Sequence, residues 1–344
     1  MPNVAVIGAG VNGVASAIKI LEHYQREGNP GFPETRVTII SEQYSPNTTG
    51  DGSAGLWGPY LLGGTEQSKV LKWSKSMHTF LEQIWLSEDA GEAGVCLLPC
   101  IRLSTSTVNT VEDFWRDIVY GAVDLTAEQL AVYNQGRSVK FTSGLSFVTY
   151  TSEPIKLLPY LMKRFARNGG VVVQQKVTDL ERFITKSPYD VIVNCSGLGS
   201  RELLNDDQMY AVRGQVSRVK ANWMFTAILD ESDDGYYIIP NTESVVLGGT
   251  HQERDYNINV CEEDKRLIVD GCQRFVPGLC HTKTLFDWVG LRPGRGKLRL
   301  EAERRGQKLL IHNYGHGGSG VTLCWGCADD VLDLLLAAKN ISKL

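Results

Sequence analysis

The chain of 344 residues contains no apolar run approaching ~18 residues, so no membrane-spanning helix is expected. It lacks an excess of charge of one sign. With 35 basic against 39 acidic side chains its net charge is −4, which gives nucleic acid no electrostatic footprint. Cysteine is sparse: eight residues are too few for a disulfide-stapled secreted domain of this length. Cys324-Trp325-Gly326-Cys327 has redox-motif spacing, but it lies in an apolar helical run and reads as buried thiols. No His pair follows these cysteines at zinc-finger spacing, so no metal is expected. The opening Met1-Pro2-Asn3-Val4-Ala5-Val6 has no basic flank and does not read as a signal peptide. Repeats and low-complexity linkers are missing as well.

What is present is globular. Hydrophobic residues at 42% and charged residues at 22% sit near the averages for folded domains, and the length suits roughly two of them. The first forty residues read as one βαβ unit. Val4-Ala5-Val6-Ile7 is an apolar strand, and Gly8-Ala9-Gly10-Val11-Asn12-Gly13 follows it directly. Val14, Ile18 and Leu21 then recur at helical spacing. A loop with Gly28, Pro30, Gly31 and Pro33 ends the helix, and Arg36 to Ile40 form the second strand, with Glu42 just beyond. A bare glycine motif is weak; flanked by strand, helix, second strand and terminal acid it points to a dinucleotide. Gly8 permits the turn, Gly10 admits a pyrophosphate to the helix N-terminus, and Gly13 lets helix and strand pack. Glu42 can accept hydrogen bonds from an adenosine ribose.

Further along, a helix is expected from Ser68 to Trp85, with irregular polar segments making up the rest of 61–149. A second helix runs from Pro154 to Ala166, and strands cover 171–173 and 190–194. Residues 201–289 read as an antiparallel sheet, notably Tyr236 to Pro240 and Ser244 to Gly248. A strand at 309–312 leads into Gly315-His316-Gly317-Gly318-Ser319-Gly320 and an apolar helix to about Ala338. The expected fold class is therefore α/β. A discontinuous Rossmann-like domain (1–60, 150–200 and 290–344) carries an inserted antiparallel-sheet domain (61–149 and 201–289).

Seven motifs occur in order. They are Val6-Ile7-Gly8-Ala9-Gly10, Ala54-Gly55-Leu56-Trp57, Val193-Asn194-Cys195-Ser196-Gly197, Arg213-Gly214-Gln215, Leu247-Gly248-Gly249-Thr250, Gly290-Leu291-Arg292-Pro293 and His312-Asn313-Tyr314-Gly315-His316-Gly317. Over nearly its whole length the chain resembles the D-amino acid oxidase and D-aspartate oxidase family of FAD enzymes. The resemblance implies FAD as cofactor, with contacts at Gly8, Gly10, Val11, Asn12, Gly13, Glu42, Thr48, Thr49, Val177 and Ser196. It places Gly317, Gly318, Gly320, Val321 and Thr322 beneath the flavin ring. It makes Arg292 the ligand of the substrate carboxylate, with Tyr237 as second contact. Hydride transfer from Cα to flavin N5 follows, with no acid or base side chain required. Dioxygen then yields hydrogen peroxide, and the imino acid hydrolyses to an oxo acid and ammonia. Arg295 reads as a surface or ribose-side residue, and Tyr236 as either a lid tyrosine or a strand aromatic.

The two branches of the family divide on the side-chain pocket. The aspartate branch has Arg after Gly-Gly-Thr; His251 stands there and can still receive a second carboxylate. That favours acidic D-amino acids such as D-aspartate and D-glutamate, with neutral ones as the alternative. The acidic loop Asp230-Glu231-Ser232-Asp233-Asp234 argues the other way, whereas Gly58 departs from the larger polar residue common in the neutral branch. A nicotinamide-dependent dehydrogenase would leave residues 313–322 unexplained, and a non-catalytic dinucleotide-binding protein would not need Arg292. The final Ser342-Lys343-Leu344 matches the tripeptide read by the peroxisomal import receptor, so a peroxisomal matrix location is expected. The oligomeric state stays open.

Overall fold

The computed structural model describes residues 2–26, 36–60, 62–106, 114–231 and 235–341. The predicted loop at Gly28 to Pro33, the acidic positions 232–234 and the C-terminal tripeptide lie outside them.

Two sheets organise the chain. The first holds β1 (Val4–Ile7), β2 (Val37–Ser41), β6 (Val171–Gln174), β7 (Val191–Asn194), β14 (Arg299–Arg305) and β15 (Lys308–Tyr314). Their order is β14-β15-β7-β1-β2-β6, parallel throughout except for the β14–β15 hairpin. Val4 pairs with both Val37 and Val191, and Val191 with Leu309. That register brings Gly8, Glu42, Cys195 and Gly315 to one edge, the carboxyl ends of the strands, where open α/β sheets bind ligands. The strands are nearly unbroken apolar runs because both faces are covered, as parallel strands require. On one face Val14, Ile18 and Leu21 of the helix Val11–Arg26 are buried. Beside them packs the helix Gly320–Ile341 through Leu323, Cys324, Cys327, Ala328 and Val331, all at 0% exposure. The Cys-x-x-Cys pair is thus core, and burial pushes the Cys324 thiol up to about 12.

The second sheet holds β3 (Val95–Ser104), β4 (Tyr120–Asp124), β5 (Ser143–Ser152), β8 (Tyr210–Lys220), β9 (Ala227–Asp230), β10 (Tyr237–Pro240), β11 (Val245–Gly248), β12 (Gln252–Glu253) and β13 (Lys283–Gly294). Every pairing is antiparallel except β3 with β9. One expectation is corrected here. The stretch 61–149 is not irregular after the helix Gln67–Trp85, because β3, β4 and most of β5 lie in it. Pro99 and two cysteines blur the alternation of β3, whereas Leu145 and Phe147 in β5 are buried at period two and were readable. The strand β13 runs on through residue 290 along β8, so Arg292 hangs from the larger sheet.

Candidate active site and cofactor cradle

The cradle is built by glycines that do different things. Gly8 has φ +107°, and a Cβ there would stand 2.4 Å from the Cys195 carbonyl oxygen. A Cβ on Gly13 would stand 1.9 Å from the Gly8 carbonyl oxygen, so helix and strand touch through bare backbone. Gly10 differs: its Cβ would meet nothing within 4 Å. Open space at the N-terminus of a sixteen-residue helix, with free N–H groups and the positive dipole end, fits an anionic pyrophosphate. Beside it the buried Asn12 Oδ1 has no hydrogen-bond partner among the described residues. A second helix N-terminus adjoins the first, since a Cβ on Gly320 would lie 3.4 Å from Asn12 Nδ2 and 3.9 Å from Val11 Cγ2. Two positive dipole ends therefore meet at Asn12, and the donor set fits FAD.

The remaining cradle positions cluster around these. Glu42 is exposed past β2 and pairs with Lys176 at 3.1 Å, next to Val177. Thr48 donates its hydroxyl to Asp51 at 2.6 Å, while Thr49 is exposed. The Ser196 hydroxyl shares a hydrogen with Ser200 at 2.8 Å. Thr322 is buried and spends its hydroxyl on Gly58, donating to the carbonyl at 3.0 Å and accepting from the N–H at 3.2 Å. Gly317 and Val321 flank Gly318, which is exposed.

The candidate substrate end is built on β8, β10 and β13. Gly290 pairs with Gly214 across β13 and β8, and the Arg292 side chain leans diagonally onto Gly214. A Cβ on Gly214 would stand 2.2 Å from Arg292 Nη1. Nη1 donates to the Thr250 carbonyl at 3.0 Å, and the Thr250 hydroxyl accepts from Gln215 N at 2.8 Å. The guanidinium charge also acts on the Tyr237 hydroxyl and favours its ionised form. The Tyr237 ring lies flat against Gly248, where a Cβ would stand 2.1 Å from Cζ. Burial raises the Tyr237 phenol pKa against the opposing pull of Arg292. Tyr60 joins them: burial raises its pKa, the Arg292 charge lowers it, and Tyr237 raises it again. Both phenols are therefore protonated at neutral pH, able to donate and unable to act as bases.

Tyr60 also links this end to the cradle. Its ring lies against one side of Gly318, where a Cβ would stand 2.4 Å from Tyr60 Cδ1, and Ser319 Oγ bonds both the Tyr60 N–H and carbonyl at 2.5 Å. Nothing in the local sequence pattern singles out Tyr60. Gly214 and Thr250 were likewise not singled out, although a glycine inside a strand marks a close approach. His251 is exposed on the rim, its ring 3.4 Å from where a Cβ on Gly235 would stand. Tyr236 is neither lid tyrosine nor strand aromatic: it lies just before β10, buried against Gly271. Arg295 is a correction: it is no surface residue but forms a largely buried ion pair with Asp206 at 3.0 Å. Among the described residues no helix is long and apolar enough to cross a membrane, and no group of three metal-ligating side chains assembles.

With this geometry in hand, comparison with known proteins is informative. The sequence model for DAO, FAD dependent oxidoreductase, matches residues 3–334. The chain is 38% identical to a D-amino acid oxidase of Dugesia ryukyuensis, over 98% of this chain and 99% of that one. It is 36% identical to a D-aspartate oxidase of Homo sapiens, over 99% of this chain and 94% of that one. Among solved structures, a glycine oxidase from Bacillus cereus superposes with a TM-score of 0.77 at 19% identity, covering 98% of this chain and 96% of that one. That last likeness speaks to the fold alone.

Proposed function

The chain belongs to the DAO family of FAD-dependent oxidoreductases, and on that footing we propose that it oxidises D-amino acids, acidic ones in preference. The products are a 2-oxo acid, ammonia and hydrogen peroxide, with dioxygen and water consumed. The observation that carries this reading is the Arg292 guanidinium beside the Tyr237 hydroxyl, tied through Tyr60 to the turn at Gly318. A guanidinium fork and a phenol donor together suit an α-carboxylate. FAD, when bound, supplies the two-electron acceptor chemistry.

The chain's own residues do the rest by placement. Arg292 and Tyr237 fix the α-carboxylate, which leaves Cα free to be turned toward the Gly317–Gly320 turn. Gly214 and Thr250 fix Arg292 in turn, so the anchor is organised before substrate arrives. The protonated phenols take no part in removing the α-hydrogen. His251 would receive the second carboxylate of an acidic substrate at the rim. The names of the two relatives support the D-amino acid class and leave the preference to be measured.

The test is peroxide release across D-Asp, D-Glu, N-methyl-D-Asp, D-Ala and D-Met. A charge-assisted hydrogen bond contributes ~1.5–3 kcal/mol, so His251→Arg should raise the D-Asp to D-Ala ratio of kcat/KM by about tenfold or more. His251→Phe should lower it by a similar factor. A ratio unchanged in both variants removes His251 from the pocket, and wild-type preference for D-Ala over D-Asp rejects the acidic reading. Peroxide as product also gives the Ser342-Lys343-Leu344 ending a purpose, and we propose peroxisomal import through it. Deleting Leu344 should leave active enzyme in the cytosol; an unchanged distribution in cells rejects the address.

A further inference from the structure

Arg292 and the Gly315–Gly320 turn are delivered by strands of different sheets. Arg295 follows the end of β13, three residues past Arg292. Tyr314 ends β15, immediately before Gly315. One atom joins them: Asp206 Oδ2 accepts from Arg295 Nε at 3.0 Å and from the Tyr314 hydroxyl at 2.7 Å. The carboxylate is itself held, because Asp206 Oδ1 accepts from Gln208 N at 3.1 Å and the Asp206 N–H donates to the Arg201 carbonyl at 3.1 Å. Tyr314 is fully buried and accepts from Arg299 Nη1 at 2.9 Å. Arg295 donates through Nη1 to the Lys297 carbonyl at 2.6 Å, and its stem packs where a Gly315 side chain would stand. Burial disfavours charge on Asp206, yet the bonds from Tyr314 and Arg295 outweigh it and hold the carboxyl below its usual range.

A second tie lies nearby. Gly317 N donates to the Pro293 carbonyl at 2.9 Å. Two segments joined at one point can pivot; joined at two, they move as one body. We propose that Asp206 is a positioning residue, setting the separation between Arg292, which holds the substrate, and the turn that faces the flavin ring. This rests on the reading of Arg292 and of that turn given above. A displacement of about 1 Å at a reacting centre can cost on the order of 10²-fold, so a clamp here acts on the oxidation step more than on affinity.

The test uses FAD-loaded Asp206→Asn, Tyr314→Phe and the double variant. Anaerobic flavin bleaching is followed with D-Ala and D-Asp, alongside visible circular dichroism of the bound FAD, FAD affinity and melting temperature. Each single variant should keep its FAD and bleach at least about tenfold more slowly at saturating substrate, with substrate affinity within about threefold. The double variant should be no slower than Asp206→Asn, as expected for two residues of one unit. The flavin dichroism should change in both single variants. Wild-type bleaching and dichroism, additive losses, or slowing that merely tracks loss of FAD or fold would each overturn the proposal. Should Asp206→Asn fail to fold, Tyr314→Phe, which removes one oxygen, decides alone. Should no D-amino acid bleach the wild type, the proposed function falls. The clamp is then judged on dichroism: altered with FAD retained supports it, unaltered overturns it.

Discussion

Replacing Gly214 by Ala is a sharp test of the anchor. Gly214 lies within β8 at a backbone conformation open to any residue, so the substitution adds one methyl group and little else. That methyl would stand 2.2 Å from Arg292 Nη1, 2.4 Å from Cζ and 2.5 Å from Nη2, where ordinary contact begins at 3.4 Å. The guanidinium must retreat by about 1 Å or more, which breaks its bond to the Thr250 carbonyl or shifts it relative to the Tyr237 hydroxyl. The clash is with the far end of a flexible side chain, so stability should change little. Function should change much more. A misplacement of this size costs on the order of 10²-fold, equivalent to ~2.7 kcal/mol of transition-state stabilisation. In the proposed role Arg292 both binds the carboxylate and aligns Cα for the oxidation step, so KM should rise and kcat fall together. Oxygen uptake with D-Ala and D-Asp over a full concentration range reads both, and the flavin spectrum and melting temperature certify the protein. A kcat/KM within threefold of wild type for both substrates, with FAD in place, would refute Arg292 as the carboxylate ligand.

Other outcomes follow from the same geometry. Gly10→Val should fold normally and lose FAD, because its Cβ meets nothing in the chain itself; a purified variant with a full flavin spectrum would sink the pyrophosphate assignment. Gly13→Ala should fail earlier, as a lower melting temperature or loss of soluble protein, since its Cβ would strike the Gly8 backbone at 1.9 Å; an unshifted melt contradicts the packing. Burial lowers the pKa of His78 to about 4 and of His316 to about 3, from 6.5. The unfolded chain therefore binds protons below about pH 6.5 that the folded chain refuses, and stability falls with pH through that window. From pH 7 to pH 5 each contributes a loss of ~2 kcal/mol. The urea midpoint of wild type should drop over this range by more than that of His78→Gln/His316→Gln, and equal slopes would refute the burial argument.

Much of this molecule could be read from residue order alone. The apolar runs at Val4–Ile7 and Val191–Asn194 and the spacing of Val14, Ile18 and Leu21 are local patterns, and each became the element expected. The second sheet was half visible. Its strand β3 interleaves Pro99 and cysteines, and its pairing with β9 spans more than a hundred residues, which no local period reveals. The active site shows the same division. Arg292 stands in a local motif and Tyr237 in a local strand pattern, so both can be singled out from the sequence. Tyr60 reaches the site only because it folds back over Gly318, and Asp206 only because two sheets bring Arg295 and Tyr314 to one oxygen. Such convergences are properties of the tertiary fold, and Arg295 was misread for that reason.

The contrast between the packed anchor and the exposed rim bears on how such a scaffold diverges. Arg292 is hemmed in by Gly214, Thr250 and Tyr237, so a change at any of these disturbs another and needs a compensating partner. His251 is exposed beside Gly235, and a replacement there displaces no buried neighbour. Under the roles proposed above, single-step mutation can explore diets at position 251 while selection holds the carboxylate grip constant. Lineages built on this plan should exchange preferred side chains often and reaction type rarely, and a one-residue library at the rim is the shortest route to an engineered biosensor with a new target.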